Sequence, residues 1–151
     1  MFHRLYCHIV WTTREREPVI DAGLAAFLTR FLRTIAHQER AHILEMGIVA
    51  THVHLLVRID QATSLPRLLQ RLKGGSSYVA GKEKHSNSGR SLKWAKGYSI
   101  ETVSPRQLQA VRGYLRSQSQ RHPGAAIQGW DGDSPEYEIV GKEDWRRPSV
   151  H

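Results

Sequence analysis

The stretch that most constrains the fold is Thr51-His52-Val53-His54-Leu55-Leu56-Val57-Arg58. Its β-branched and apolar run favours a strand over a helix. Side chains on a strand alternate between faces, so Val53, Leu55, Val57 and Ile59 share one side, and His52 and His54 the other. The first side demands an apolar cover. The second presents two imidazoles whose Cα atoms lie about 6.5–7 Å apart, from a rise of roughly 3.3 Å per residue. Imidazoles so spaced can converge on one ion through metal–nitrogen bonds of roughly 2.0–2.1 Å. A half-exposed strand that simply carries two histidines fits the same residues.

The cover is visible upstream. Leu24, Phe27, Leu28, Phe31, Leu32 and Ile35 recur at helical spacing, with Asp21 placed to cap the helix. Arg4 to Thr12 reads as a first strand, in which His8 is taken as structural. Arg14-Glu15-Arg16-Glu17-Pro18 ends it as a charged loop, and Arg14 and Arg16 there suit phosphate contact. Ala41 to Ile48 reads as a second strand, with Gly47 marking a bulge or a close approach. It lies so near the histidine strand in sequence that the two should form an antiparallel hairpin.

Ser64 should cap a second helix bearing Leu65, Leu68, Leu69 and Leu72 on one side and Arg67, Arg71 and Lys73 on the other. Gly74-Gly75 should weaken its continuation, at about 1 kcal/mol per glycine. Gly81 to Ser91 reads as a mobile loop by composition. Trp94 and Tyr98, beside Lys93 and Lys96, precede a strand over Gly97 to Val103. Such a cluster can stack single-stranded bases, or the two aromatics can close the edge of the core. Ser104-Pro105 starts a helix that should run to about Arg121, where His122-Pro123-Gly124 stops it. On that helix Leu108, Val111 and Leu115 form the apolar stripe, with Tyr114 and Gln118 as i, i+4 neighbours at its margin.

No repeat marks a second domain, and 151 residues suffice for one core. The expected division is a body over residues 1–123 and a tail over 124–151 that rests on it through Trp130, Tyr137 and Trp145. Twenty-two Lys and Arg against 14 Asp and Glu leave a net charge of +8, which favours a polyanionic partner, nucleic acid first. The one cysteine, Cys7, excludes an internal disulfide framework and fits a reducing compartment. No apolar stretch approaches the roughly 20 residues that span a bilayer, so a cytoplasmic protein without a membrane partner is expected.

A His-x-His strand, a Tyr-x-x-x-Gln helix and a basic surface on one small domain resemble the single-tyrosine HUH transposases of small bacterial insertion sequences, which are mobilised as single-stranded DNA. His52-Val53-His54 matches the family's histidine–hydrophobic–histidine strand, and Tyr114 and Gln118 match its helical tyrosine and glutamine. Val10-Trp11-Thr12-Thr13-Arg14, Leu72-Lys73-Gly74 with Ser76-Ser77, and Trp94-Ala95-Lys96-Gly97-Tyr98 are weaker echoes, in the right order over about residues 3–122. Ala50-Thr51 departs from the proline and aspartate common before the first histidine, Gly74-Gly75 is looser than the usual helix, and the tail is unlike the family's.

The resemblance implies an α+β, ferredoxin-like domain, an antiparallel sheet with packed helices. It implies a Tyr114 nucleophile that joins to DNA as a 5′-phosphotyrosine and frees a 3′-hydroxyl. It implies Mg2+ or Mn2+ held by His52, His54 and Gln118, and contacts to single-stranded, hairpin-bearing DNA from Arg14, Lys73, Ser76, Ser77, Trp94 and Lys96. A homodimer in which the tyrosine helix docks on the partner is implied as well. The competing expectations are a nucleic-acid-binding protein of this fold without the chemistry, an unrelated His-x-His metalloenzyme, and, for the nucleophile, Tyr78.

Overall fold

The computed structural model describes residues 5–130. Strand β1 (Leu5–Thr12) leads to helix α1 (Ala22–Gln38), strands β2 (Ala41–Val49) and β3 (His52–Ile59), helix α2 (Leu65–Lys82) and strand β4 (Ser99–Val103). Two short helices, α3 (Leu108–Arg116) and α4 (Gln118–Arg121), follow. The strands form one antiparallel sheet in the order β2-β3-β1-β4, so the βαββαβ chain has the expected ferredoxin-like α+β arrangement.

Register assigns each side chain to a face. Val10 stands opposite His54, Thr12 opposite His52, and Gly47 opposite His54 from the other flank. Val53, Leu55 and Val57 therefore share the other face with Cys7, Ile9 and Trp11, and α1 and α2 cover it in one continuous core. Phe27, Leu28 and Leu32 of α1 and Leu68 and Leu72 of α2 are fully buried there. Asp21 caps α1 by accepting from the Leu24 N–H at 2.9 Å, as the sequence predicts. The opposite face carries only a small apolar cluster of Tyr6, Leu56, Val103 and Leu115, where α3 lies down.

Several expectations change. Helix α2 runs unbroken through Gly74-Gly75 to Lys82. Gly75 is the closer fitted of the two, since a Cβ there would stand 3.0 Å from the ring of Phe31, and the packing on α1 outweighs the propensity cost. Much of the segment read as a mobile loop is tied down. Ser86 Oγ and the Asn87 N–H both donate to Asp21 Oδ2, His85 stacks on Phe27, and Arg90 pairs with Glu17 at 2.9 Å. β4 starts at Ser99, two residues later than expected, because Gly97 turns the chain at φ 83°. The irregularity in β2 falls between Ile43 and Glu45, whereas Gly47 marks a close approach.

The last predicted helix is broken. A 3-10 turn over Pro105–Gln107 precedes α3, and Ser117 separates α3 from α4. The Ser117 hydroxyl donates to the Tyr114 carbonyl at 3.1 Å, a local bond that competes with regular helix. After α4 the chain returns to the body. The Ala50 N–H donates to the Ala125 carbonyl at 2.7 Å, Ile127 is buried and Trp130 rests against the core. Of the aromatics expected to anchor the tail, Tyr137 and Trp145 lie outside the described residues.

Candidate active site

The site lies where α3 and α4 cross the histidine-bearing face. Strand alternation brings His52 and His54 to one side of β3, and the covering helices leave both largely buried, at 7 % and 6 % exposed. Their rings meet edge to face with centroids 4.9 Å apart. Tyr114 is half-buried above them, its ring 5.7 Å from that of His54. The tyrosine and the histidine pair therefore meet within one chain.

Close approach of α3 to β2 sets this placement. A Cβ on Gly47 would stand 2.5 Å from the Leu115 carbonyl oxygen and 2.8 Å from Gln118 Cγ, so only glycine admits the helix at that depth. Glu45 on β2 pairs with Arg116, with Arg112 at 3.9 Å, and Arg112 Nη2 also donates to the Leu44 carbonyl. Two cationic groups from α3 thus hold it to the strand beside the histidines.

Gln118 is buried, and its amide is oriented. Nε2–H donates to the Tyr114 carbonyl at 3.2 Å, which turns Oε1 towards His52 Nε2 at 3.4 Å. An amide oxygen is an acceptor only. It can accept a hydrogen bond from His52 Nε2–H, or share a cation with the imidazole lone pair. Donors bound to one ion at roughly 2.0–2.2 Å stand about 3–3.5 Å apart at ordinary ligand angles, so this pair suits a cation. The donor set of two imidazoles and one amide oxygen also fits Mn2+, which accepts imidazole more readily than Mg2+ does. Among the described residues no group of three or more His, Cys, Asp or Glu side chains is arranged to hold a metal ion. A set with two histidines and a glutamine is of a different kind.

Burial keeps these imidazoles neutral. His54 is pushed down to about 3, first by burial and then by the neighbouring His52, His8 and His122 rings. His52 is lowered by burial, against the opposing bond to Gln118. Neutral imidazoles have the lone pairs that a metal or a proton donor needs.

The residues expected to touch DNA separate into two groups. Lys73, Ser76 and Trp94 form an internal clamp: Lys73 Nζ donates to the Ala95 and Gly97 carbonyls at 3.0 and 2.5 Å, and Trp94 Nε1–H donates to Ser76 Oγ at 2.9 Å. Ser76 is fully buried, and Trp94 meets Trp11 edge to face, so this aromatic closes the core edge. The clamp ties α2 to the segment entering β4. Ser77 returns its hydroxyl to the Gly74 carbonyl. Arg14 and Lys96 are exposed, and Arg14 lines a polar cleft with Glu15, Arg90 and Lys93. Tyr78, the rival nucleophile, is 64 % exposed on α2, on the other side of the sheet from the histidines.

His8, structural on the sequence reading, stands beside the site. Its ring bonds His54 and lies 6.2 Å from Tyr114. Alternation puts it on the face of Tyr6 and Val10, but only the β1–β3 register shows that this is the face of His54. Sequence reasoning passed over Arg121 and His122. The Arg121 guanidinium lies 4.7 Å from the Tyr114 ring centre, held by a bond to Ser117 Oγ, and His122 meets His52 edge to face at 5.1 Å. No periodicity marks them, because α4 is one turn long.

The sequence model for IS200-like transposases matches residues 1–118. The ISDra2 transposase TnpA of Deinococcus radiodurans is 29% identical over 119 residues, covering 77% of this chain and 85% of its own. A crystal structure described as a transposase, also from Deinococcus radiodurans, superposes with a TM-score of 0.59 at 25% identity, covering 78% of this chain and 93% of that one. The structure of a REP-associated tyrosine transposase bound to a REP hairpin superposes with a TM-score of 0.61. It covers 81% of this chain and 70% of that one at 10% identity, a likeness of fold alone.

Proposed function

Because this chain belongs to the IS200-like transposase family, we propose that it cleaves and rejoins single-stranded DNA, with a divalent cation, through a 5′-phosphotyrosine link to Tyr114. The observation that carries this reading is the convergence of four side chains in one protomer. Tyr114 lies over His54, and Gln118 Oε1 faces His52 Nε2 at 3.4 Å. A fold that had kept DNA binding and lost the chemistry would have no need of all four.

In the proposed reaction the Tyr114 hydroxyl attacks a backbone phosphorus. The P–Oη bond forms, the P–O3′ bond breaks, and the departing 3′ oxygen takes up a proton. The link keeps the energy of the phosphodiester, so a 3′-hydroxyl elsewhere can reverse the step without ATP. Phenol, with an ordinary pKa near 10, leaves readily in that reversal. A Mg2+ or Mn2+ ion held by His52, His54 and Gln118 would polarise the phosphate and offset charge building on its oxygens. The chain itself supplies neutral imidazoles, an oriented amide and a tyrosine fixed by α3. The net charge of +8 draws the polyanion in, with Arg14 and Lys96 exposed to receive it. A hairpin beside the cleavage point is the proposed recognition feature.

The test is incubation of the full chain with a labelled, hairpin-bearing oligonucleotide and Mn2+, followed by denaturing electrophoresis. A DNA–protein adduct that forms with wild type, requires the ion and vanishes in Tyr114→Phe supports the reading. An adduct that persists in Tyr114→Phe, or none across a diverse oligonucleotide set, overturns it.

A further inference from the structure

The two histidines of the site are each gripped from behind. Thr51 Oγ1 lies 3.0 Å from His52 Nδ1, and His8 Nε2 lies 2.9 Å from His54 Nδ1. In both rings the back nitrogen is occupied, which leaves Nε2 as the atom turned to the site. The His8–His54 contact is well aligned. The ring centres are 5.1 Å apart and the planes differ by 18°. That separation is about the N···N distance plus the two ring radii, so the imidazoles meet edge to edge, nearly in one plane, with a hydrogen bond running between them.

We propose that His8 is a positioning residue that holds His54 as its Nδ1–H tautomer, so that the His54 Nε2 lone pair is free to take a divalent cation. This rests on the cation reading of the site given above. The reason is one of proton count. Two neutral imidazoles that face each other nitrogen to nitrogen need one proton between them, since two lone pairs would repel. If His8 supplied it, the proton of His54 would lie on Nε2, and that ring could not bind a metal through the site. If His54 supplies it, Nε2 is free. His8 then carries its own proton on Nδ1, and burial keeps that ring neutral. Metal-binding histidines are generally oriented by such a bond from the far nitrogen, and losing it costs about 10–100-fold in metal affinity. His52 differs: Gln118 Oε1 only accepts, so without an ion His52 Nε2 carries the proton and the Thr51 hydroxyl donates to Nδ1.

The arrangement spans two strands, with His8 on β1 and His54 on β3. It explains why a histidine sits mid-strand in β1, two residues beyond Tyr6 of the small apolar cluster. A leucine would fill the space but leave His54 Nδ1 without a partner in a buried setting.

The experiment uses the full chain in two measurements. Long-range 1H–15N spectra of the metal-free protein read the tautomers directly, and titration with Mn2+, counted by the electron spin resonance of the free ion, reads affinity. Wild type should show His54 as Nδ1–H. His8→Phe should release the tautomer of His54 and weaken Mn2+ binding by about 10–100-fold. His8→Gln, whose amide oxygen keeps an acceptor, should restore most of the affinity, which a purely space-filling role for His8 would not predict. A wild-type His54 protonated on Nε2 overturns the proposal, and that measurement needs no variant to fold. So does a folded His8→Phe with unchanged tautomer and affinity. If wild-type His54 has the expected tautomer, it shifts in His8→Phe, and Mn2+ binds to neither protein, the positioning role stands and the cation reading falls.

Discussion

The two faces of this sheet are built from the same strands and do different work. On one, Ile9, Trp11, Val53, Leu55 and Val57 meet α1 and α2 in a continuous apolar core that includes Cys7, whose thiol burial pushes up. On the other, alternate residues of the same strands are His8, His52, His54 and Glu45, beside a cluster of only four buried apolar residues. The period of two lets one strand serve both purposes. Stability is drawn from the face that holds no chemistry, so the reactive face can carry buried polar groups and a shallow helix contact.

The sharpest way to break that comparison is a matched pair of truncations. Leu28 and Leu115 are both fully buried, one on each face. Buried Leu→Ala changes cost about 2–5 kcal/mol. Leu28→Ala should fall near the top of that range by denaturant unfolding, yet leave the folded fraction competent for adduct formation. Leu115→Ala should fall near the bottom, because α3 can lift locally, and should lose more adduct than stability. Equal ratios of the two losses would remove the distinction between the faces.

A pH series tests which face titrates. The native His54 value of about 3 lies below the ordinary 6.5. Above 6.5 neither state binds the proton and stability is full. Between 6.5 and about 3 the unfolded chain binds it and the native one does not, so stability falls as pH falls. The slope approaches about 1.4 kcal/mol per pH unit for each such group. His8 and His52, lowered mainly by burial, add with the same sign. Tm measured from pH 7 to pH 4 should decline in wild type and flatten in His54→Leu. An equal decline in the variant would place the sensitivity elsewhere.

Gly47→Ala concerns only the seat of α3. Its Cβ would meet backbone at 2.5 Å, and overpacking of this kind costs about 1–3 kcal/mol. Adduct formation should drop markedly while Tm moves by only a few degrees. Smallest of all is Gly74→Ala, where a Cβ meets nothing within 4 Å on a helix over the core. It should gain up to about 1 kcal/mol with activity unchanged.

The fold was largely legible because period and caps are local. The α1 stripe, the β2–β3 hairpin and the caps at Asp21 and Ser64 follow from neighbours a few residues away. The passage of α2 through Gly74-Gly75 was not, because its support comes from α1. The candidate site was legible in its types and spacing, at His52, His54, Tyr114 and Gln118. The use of Lys73, Ser76 and Trp94 was not, since a lysine bound to two carbonyls reads in sequence like any lysine on a basic face.

The sequence by itself determined that a strand would present two histidines on one side and an apolar row on the other, since alternation is a property of the extended backbone alone. Tertiary structure decided what stands around those histidines. The β1–β3 register brings His8 to His54, the absence of a Cβ at Gly47 lets α3 settle, and the break at Ser117 precedes a glutamine whose amide is turned by Tyr114. The residues involved lie from 4 positions apart, as Tyr114 and Gln118 do, to 71 apart, as Gly47 and Gln118 do. Contacts at the longer separations arise only when the sheet has formed and the helix has been laid across it.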